Sequence, residues 1–137
     1  MNEKVMKLLK VSKNYKLLYV EDCDDAREST LNLLVRFFNE VITGVNGVDG
    51  LNKFQKHRDF DIILTDINMP KMDGLTMSEK IREIDSDVPI IILSAHNEKE
   101  FFDRAKNAGI SEYLFKPIEL QNMIEVLIKS FKVEELV

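Results

Sequence analysis

Side chains that bind cations or phosphate follow short apolar runs at four places in this chain. Glu21 and Asp22 follow the first run, Asp66 the third, Ser94 the fourth and Lys116 the fifth. Neighbouring strands of a sheet lie only about 4.8 Å apart. Three carboxylates at that spacing repel one another strongly unless a proton or a cation lies between them. The pattern therefore predicts a cation site built from Glu21, Asp22 and Asp66.

The ligand types favour magnesium at this site. The chain has one cysteine and two histidines, so no cluster of sulfur or nitrogen ligands is expected there. Mg²⁺ prefers oxygen ligands and keeps several of its waters, as a partly solvated cleft allows. We therefore expect one Mg²⁺ ion, for which Mn²⁺ can substitute.

The lysine indicates the reaction that such a site would perform. A phosphoryl group in transfer is nearly planar and anionic, and its oxygens need cations on more than one side. A metal ion and the Lys116 ammonium around the Asp66 carboxylate would supply them. A carboxylate can itself be the nucleophile, which gives an acyl phosphate. Ser94, on the far side of Asp66 from the acidic pair, is placed to hydrogen-bond a phosphoryl oxygen.

The segments that position these groups alternate between strand and helix patterns. The apolar runs barely alternate with polar residues, which is typical of strands buried on both faces of a parallel sheet. We predict strands over residues 16–20, 41–45, 61–65, 88–93 and 112–115. Helical periodicity predicts helices over 24–38, 47–57, 75–84, 97–107 and 118–131. In the first helix the apolar stripe consists of Leu31, Leu34, Val35 and Phe38.

This alternation predicts an α/β fold, a single (βα)5 doubly wound parallel sheet with helices on both faces. The second strand carries no chemical group at its end, so we place it at an edge of the sheet. We assign residues 15–133 to one domain and residues 134–137 to a C-terminal tail. Residues 1–14 are expected to be a basic N-terminal extension, either a frayed helix or a linker.

Composition excludes several functional classes. The 137 residues are 45% hydrophobic and carry a net charge of −5, which argues against direct nucleic-acid binding. The longest apolar stretch, residues 88–93, has six residues, far short of a transmembrane segment. One cysteine excludes an internal disulfide framework and fits a cytoplasmic location.

Four motifs give the chain a family resemblance. They are LLYVED at 17–22, DIILTDINMPKMDG at 61–74, IIILSA at 90–95 and YLFKP at 113–117. With these motifs in this order, the chain resembles the receiver domain of two-component response regulators, including the chemotaxis regulators. The resemblance spans residues 16 to about 131 and implies the flavodoxin-like strand order 2-1-3-4-5.

The resemblance implies a role for each site residue. Asp66 would take a phosphoryl group, as 4-aspartylphosphate, from a histidine kinase or a phosphotransfer protein. Mg²⁺ would be bound by the side chains of Glu21, Asp22 and Asp66 and by the backbone carbonyl of Asn68. Lys116 would contact the phosphoryl group. The peptide bond between Lys116 and its following proline is expected to be cis.

The resemblance also implies a conformational switch. Ser94 would move toward the phosphoryl group, and Tyr113 would turn inward as it does so. The face formed by residues 97–131 would then present itself to a downstream protein or output domain, and a homodimer through this face is an open alternative. Asn68 and His96 are candidates for tuning the lifetime of the phosphoryl group.

Two other functions remain open at this stage. The first is a pseudo-receiver, which binds partners without phosphorylation. The second is a small aspartyl-phosphate phosphatase of the haloacid dehalogenase type, but Asn68 stands where that family has a general acid. On the preferred interpretation the chain catalyses only its own phosphorylation and dephosphorylation, and it is not an enzyme acting on a separate substrate.

Overall fold

The computed structural model describes residues 2–95 and 101–133. Its strands are β1 (Lys16–Val20), β2 (Glu40–Gly44), β3 (Ile62–Asp66), β4 (Ile90–Ser94) and β5 (Glu112–Phe115). Its helices are α1 (Glu3–Ser12), α2 (Asp24–Leu34), α3 (Gly47–His57), α4 (Gly74–Ile84), α5 (Phe102–Asn107) and α6 (Leu120–Ser130). The strands form one sheet in the order β2-β1-β3-β4-β5, and every pair is parallel. The predicted flavodoxin-like order, with β2 at an edge, is confirmed.

Successive residues of the central strands pack into two different helical layers. In β1, Leu17 and Tyr19 pack in a core that includes side chains of α1, α2 and α6. Leu18 and Val20 of the same strand pack with Phe54 of α3 and residues of α4 on the other face. The helices lie on both sides of the sheet, and because both faces are covered the central strands are mostly apolar.

The N-terminal segment differs from the expected frayed helix or linker. Residues 3–12 form the helix α1, whose first turn is capped by Asn2, since the Val5 amide donates to Asn2 Oδ1 at 2.9 Å. Leu8 is fully buried in the same core as Phe37 and Ile124. Every third residue is a lysine, but the positions between them supply an apolar stripe that packs α1 onto the domain.

The end of α2 corrects one prediction about the core. The helix stops at Leu34, four residues earlier than predicted, and the amide of Phe37 donates to the Leu34 carbonyl in the turn that follows. Val35, which we placed on the buried stripe, is 51% exposed, so that placement was wrong. Because the chain turns there, Phe37 and Phe38 both reach the core in its stead.

The strands that carry the site run slightly further than predicted. Asp66 and Ser94 are the last residues of β3 and β4 and do not follow them. The bond between Lys116 and Pro117 is cis, as expected. The predicted helix over 97–107 is described only from residue 101, and His96 lies outside the described residues. In the described part of the chain, no helix is long and apolar enough to cross a bilayer.

Candidate functional site

The register of the sheet brings the acidic residues to one edge. Val20 pairs with Thr65, so Glu21 and Asp66 each come one residue after a paired position. The Glu21 amide donates to the Gly44 carbonyl at 3.0 Å, which extends the contact of β1 with β2 up to the site. The acidic pair and Asp66 therefore meet at the carboxyl edge of the central strands, as we predicted.

The three carboxylates form a compact cluster. Oxygen atoms of Glu21, Asp22 and Asp66 lie within 4.8 Å of one another. Glu21 and Asp66 are 1% and 8% exposed, whereas Asp22 is open to solvent. Backbone amides orient the two buried carboxylates, since the Ile67 amide donates to Asp66 Oδ1 at 2.8 Å and the Cys23 amide donates to Glu21 Oε2 at 3.2 Å.

Lys116 supplies the positive charge that the cluster needs. Its ammonium donates to Asp66 Oδ2 at 2.9 Å and to Glu21 Oε1 at 3.3 Å. Its own amide donates to the Ser94 carbonyl at 2.9 Å, which fixes the base of the side chain beside β4. Burial alone would lower the pKa of Lys116, but the hydrogen bond and charge of Asp66, with Glu21, raise it above its ordinary value. The ammonium is therefore charged at neutral pH.

The remaining negative charge fits a cation. One ammonium cannot balance three carboxylates, and Lys116 contacts only the two buried ones. Loss of hydration raises the pKa of the Asp22 carboxyl, and Glu21 beside it adds to the rise. The three carboxylates thus carry more negative charge than Lys116 can neutralise, and Asp22, which Lys116 does not contact, lies on the solvent side. An all-oxygen cluster with one open side suits Mg²⁺, which binds one or two carboxylates and keeps waters. The residues present thus fit a magnesium ion.

The two proposed switch residues lie on the strands next to β3. Ser94 ends β4, which is the neighbour of β3, and Tyr113 lies one strand further, in β5. Ser94 is 1% exposed, and its hydroxyl donates to the neighbouring Ala95 carbonyl at 2.9 Å. Tyr113 is half-buried, with its ring 5.1 Å from that of Phe102 and its hydroxyl 3.5 Å from the Phe102 carbonyl oxygen. Tyr113 thus packs against the start of α5 in this structure.

Comparison with known proteins decides the family. The model of the response regulator receiver domain matches residues 17–128. The chain belongs to this family. The receiver domain is 34% identical over 113 residues to the chemotaxis protein CheY of Treponema pallidum, covering 81% of this chain and 78% of that protein.

Solved structures agree with this assignment. The N-terminal domain of an uncharacterised protein from Wolinella succinogenes has a TM-score of 0.79 and 34% identity, covering 89% of this chain and 98% of that one. CheY from Borrelia burgdorferi, crystallised with CheX, BeF₃ and Mg²⁺, has a TM-score of 0.79 and 25% identity, covering 85% of this chain and 89% of that one. Receiver domains bind Mg²⁺ at an acidic pocket, and in this chain the cluster of Glu21, Asp22 and Asp66 could hold a metal ion.

Sequence reasoning missed three residues that shape the receiver site. The Arg27 guanidinium donates to the Glu21 carbonyl at 2.8 Å, and the Thr65 hydroxyl donates to the Asp66 carbonyl at 2.9 Å. Gly74 passes so close to Asp66 that a Cβ on it would lie 1.9 Å from the Asp66 carbonyl oxygen. The Asp-Gly pair at 73–74 was a signal for Gly74, but nothing in the sequence singled out Arg27 or Thr65.

Two other predicted residues stay predictions. Asn68 is exposed in the loop after β3, two residues beyond Asp66, where its carbonyl is close in sequence to the cluster. His96 lies outside the described residues. Their parts in metal binding and in phosphoryl lifetime rest on the family resemblance.

Proposed function

We propose that this receiver domain is a phosphorylation switch in which Asp66 accepts a phosphoryl group from a histidine kinase or a phosphotransfer protein. The observation that carries the proposal is the Asp66 carboxylate, held by the Ile67 amide at 2.8 Å on one oxygen and by Lys116 at 2.9 Å on the other. Glu21 and Asp22 complete a cation site beside it. A nucleophile between a fixed cation and a metal site is the arrangement that phosphoryl transfer requires.

The chemical step is a single displacement at phosphorus. An oxygen of the Asp66 carboxylate forms a bond to phosphorus while the bond from phosphorus to the donor's imidazole nitrogen breaks. The electron pair of the broken bond stays on the imidazole, which leaves. Hydrolysis removes the phosphoryl group from Asp66. In that step a water oxygen attacks phosphorus and the Asp66 carboxylate is the leaving group.

Residues of the chain prepare this step by fixing charge. A bound Mg²⁺ would neutralise charge that develops on the phosphoryl oxygens. Lys116 faces the same carboxylate and holds a phosphoryl oxygen once the group has moved onto Asp66. Glu21 and Asp22 would hold the metal ion through their side chains, Asp66 through one of its oxygens, and Asn68 through its backbone carbonyl.

Movements of Ser94 and Tyr113 would transmit the phosphorylation of Asp66 to the surface of the domain. The Ser94 hydroxyl donates to the adjacent Ala95 carbonyl, and it can exchange that bond for one to a phosphoryl oxygen. Its movement would make room for the Tyr113 ring, which now packs on Phe102 of α5. The 97–131 face, described here from residue 101, would change shape and bind a downstream protein or output domain.

The CheX–CheY complex from Borrelia burgdorferi supports a partner of this kind, since that CheY was crystallised with CheX, BeF₃ and Mg²⁺. The proposal gives the chain no separate substrate. A pseudo-receiver would bind partners with Asp66 unmodified, and a phosphatase would release phosphate steadily from phosphoesters. Both alternatives are outcomes that the following experiment separates.

The test is the intact mass of the protein after incubation with a small acyl phosphate and Mg²⁺. We expect a gain of one phosphoryl group that EDTA prevents and that Asp66→Asn abolishes. The matched control is Asp87→Asn, because Asp87 is an exposed aspartate before β4, at the opposite end of the sheet. No gain by a wild-type protein that binds Mg²⁺ would favour the pseudo-receiver, and steady phosphate release from a phosphoester would favour the phosphatase.

A further inference from the structure

Arg27 closes the turn that carries the first two acidic residues. From the first turn of α2 its guanidinium reaches back to the end of β1, where Nη1 donates to the Glu21 carbonyl at 2.8 Å. Its Nη2 donates to the carboxylate of Asp24. The Arg27 side chain is 18% exposed, so its contact with the Glu21 carbonyl is largely shielded from solvent, whereas Asp24 lies at the surface. The two residues that Arg27 contacts, Glu21 and Asp24, lie on either side of Asp22 in the sequence.

The two hydrogen bonds of Arg27 stabilise a segment whose negatively charged side chains repel one another. Glu21, Asp22, Asp24 and Asp25 are four acidic residues within five positions, and like charges at this spacing repel. Asp22 is exposed, and it lies between Glu21 and Asp24, the two residues that Arg27 contacts. A turn that is ordered before the cation arrives does not have to lose conformational freedom when the cation binds.

Arg27 has a second effect, opposite in sign to the first. Its positive charge lies near the carboxylate cluster and by itself repels a cation. Removing only the charge would therefore strengthen cation binding, whereas removing the hydrogen bonds would weaken it. The sign of the change in affinity distinguishes the two effects without further assumption.

We infer that Arg27 is a positioning residue for the cation site, and that it strengthens Mg²⁺ binding by holding the turn of Asp22 despite its own positive charge. The inference rests on the proposed function, because it concerns the Mg²⁺ of the same site. Nothing in this role requires Arg27 to touch the ion or the phosphoryl group. It acts through the Glu21 carbonyl and through Asp24.

The experiment is a calorimetric Mg²⁺ titration of the whole chain and of three variants. Arg27→Gln removes the charge and the two-pronged contact, and Arg27→Lys keeps the charge but cannot reproduce that contact. We expect Arg27→Lys to raise the Mg²⁺ dissociation constant about tenfold, as is common when a group that orients a metal ligand is lost. Arg27→Gln should raise it by a smaller factor, because the loss of the positive charge partly offsets the loss of the contact. Arg36→Gln, an exposed arginine beyond the far end of α2, makes the same charge change and should leave affinity nearly unchanged.

A second readout separates positioning from damage to the fold. At saturating Mg²⁺, the rate of phosphorylation by a small acyl phosphate should match wild type for Arg27→Lys, while the Mg²⁺ concentration that gives half the maximal rate rises about tenfold. Thermal unfolding in EDTA checks that each variant is folded at the titration temperature. A fall in the maximal rate with unchanged Mg²⁺ affinity would contradict the inference.

The outcomes also separate this inference from the proposed function. If wild type binds Mg²⁺ and Arg27→Gln binds it equally or more tightly, Arg27 does not strengthen Mg²⁺ binding and the inference is wrong, but the proposed function stands. If wild type binds no Mg²⁺, both are wrong. If both Arg27 variants bind more weakly and Arg36→Gln does not, the inference holds.

Discussion

The Lys116 ammonium lies 2.9 Å from Asp66 Oδ2, although fifty residues separate the two in sequence. The sheet brings them together because β3 and β5 flank β4 on its two sides. The same ammonium reaches Glu21 at 3.3 Å, so one cation links two carboxylates that would otherwise repel. This pair of contacts ties the chemistry of the site to the order of the strands.

Replacing Lys116 should separate metal binding from phosphoryl transfer. Lys116→Met removes the cation that holds a phosphoryl oxygen, so phosphorylation by an acyl phosphate should slow about a hundredfold. Mg²⁺ should bind more tightly, because a positive charge leaves the cluster. Rapid-quench rates and Mg²⁺ titration measure the two effects. The control is Lys129→Met, since Lys129 is 73% exposed and pairs with Glu112, away from the site. A variant that loses Mg²⁺ binding would conflict with this assignment.

The affinity for Mg²⁺ should fall as the solution becomes more acidic. Loss of hydration, with help from Glu21, raises the pKa of Asp22, and a protonated carboxyl does not bind the ion. Titrations from neutral pH downward should show affinity beginning to fall at a pH above the ordinary aspartate pKa of about 3.9. Asp22→Asn should weaken binding at neutral pH and flatten this dependence. Equal pH profiles for the two proteins would count against a metal-binding Asp22.

The same shift has a consequence for stability without metal. The pKa of Asp22 is higher in the folded protein than in the unfolded chain, so its protonation favours folding. Its contribution to stability is therefore lost as the pH rises through the folded pKa. Chemical denaturation in EDTA should accordingly show that the free energy of unfolding of Asp22→Asn increases relative to that of wild type as the pH rises toward neutral.

The first helix should contribute to the stability of the domain. Leu8 is fully buried against residues of α2 and α6, so Leu8→Ala should lower the free energy of unfolding by about 2–4 kcal/mol. Met6 of the same helix is 52% exposed, and Met6→Ala should change stability by less than about 0.5 kcal/mol. Denaturant unfolding measures both. Similar small effects for both variants would mean that α1 is the loose extension first expected.

Tyr19 carries a hydroxyl that the described residues leave without a hydrogen-bond partner. It is fully buried and lines a cavity of about 290 Å³ that also borders Glu21 and Lys116. An unpaired buried hydroxyl costs stability, so Tyr19→Phe should raise the free energy of unfolding by about 1 kcal/mol at pH 7. A comparable loss of stability would instead reveal a partner for the hydroxyl in solution.

An alkaline titration gives a second measure of the same residue. Burial raises the pKa of Tyr19 to about 12, although the neighbouring Thr30 side chain partly opposes that rise. The unfolded chain ionises this phenol near pH 10, so wild type should lose stability from about pH 10 upward. Tyr19→Phe should lose less over that range.

Local pattern was sufficient to predict most of the fold. The runs at β1 and β5 were predicted with the bounds observed, because in each an unbroken apolar run ends directly before a charged residue. The helix α3 was also predicted with its observed bounds. The strand order and the roles at the site came from the resemblance to receiver domains, since pairing between distant strands leaves no local pattern.

The errors share one physical cause, which is tertiary packing. Val35 continues the apolar spacing of α2 and yet is exposed, because the chain turns after Leu34 and places Phe37 inside. The lysines of α1 suggested a solvated arm, but Leu8 between them fills the core. Arg27 and Thr65 act on backbone carbonyls, which no pattern of side chains identifies.

The central claim is that Asp66 is the phosphorylated residue, and the most direct measurement locates the modification on the chain. The protein would be treated with an acyl phosphate and Mg²⁺ and reduced with borohydride, which converts an aspartyl phosphate into homoserine, and then mapped by peptide mass spectrometry. We predict homoserine at position 66, dependent on Mg²⁺, with no other aspartate converted and no glutamate reduced to the corresponding longer alcohol. An unmodified Asp66 in a protein that binds Mg²⁺, or homoserine at a different position, would contradict the account.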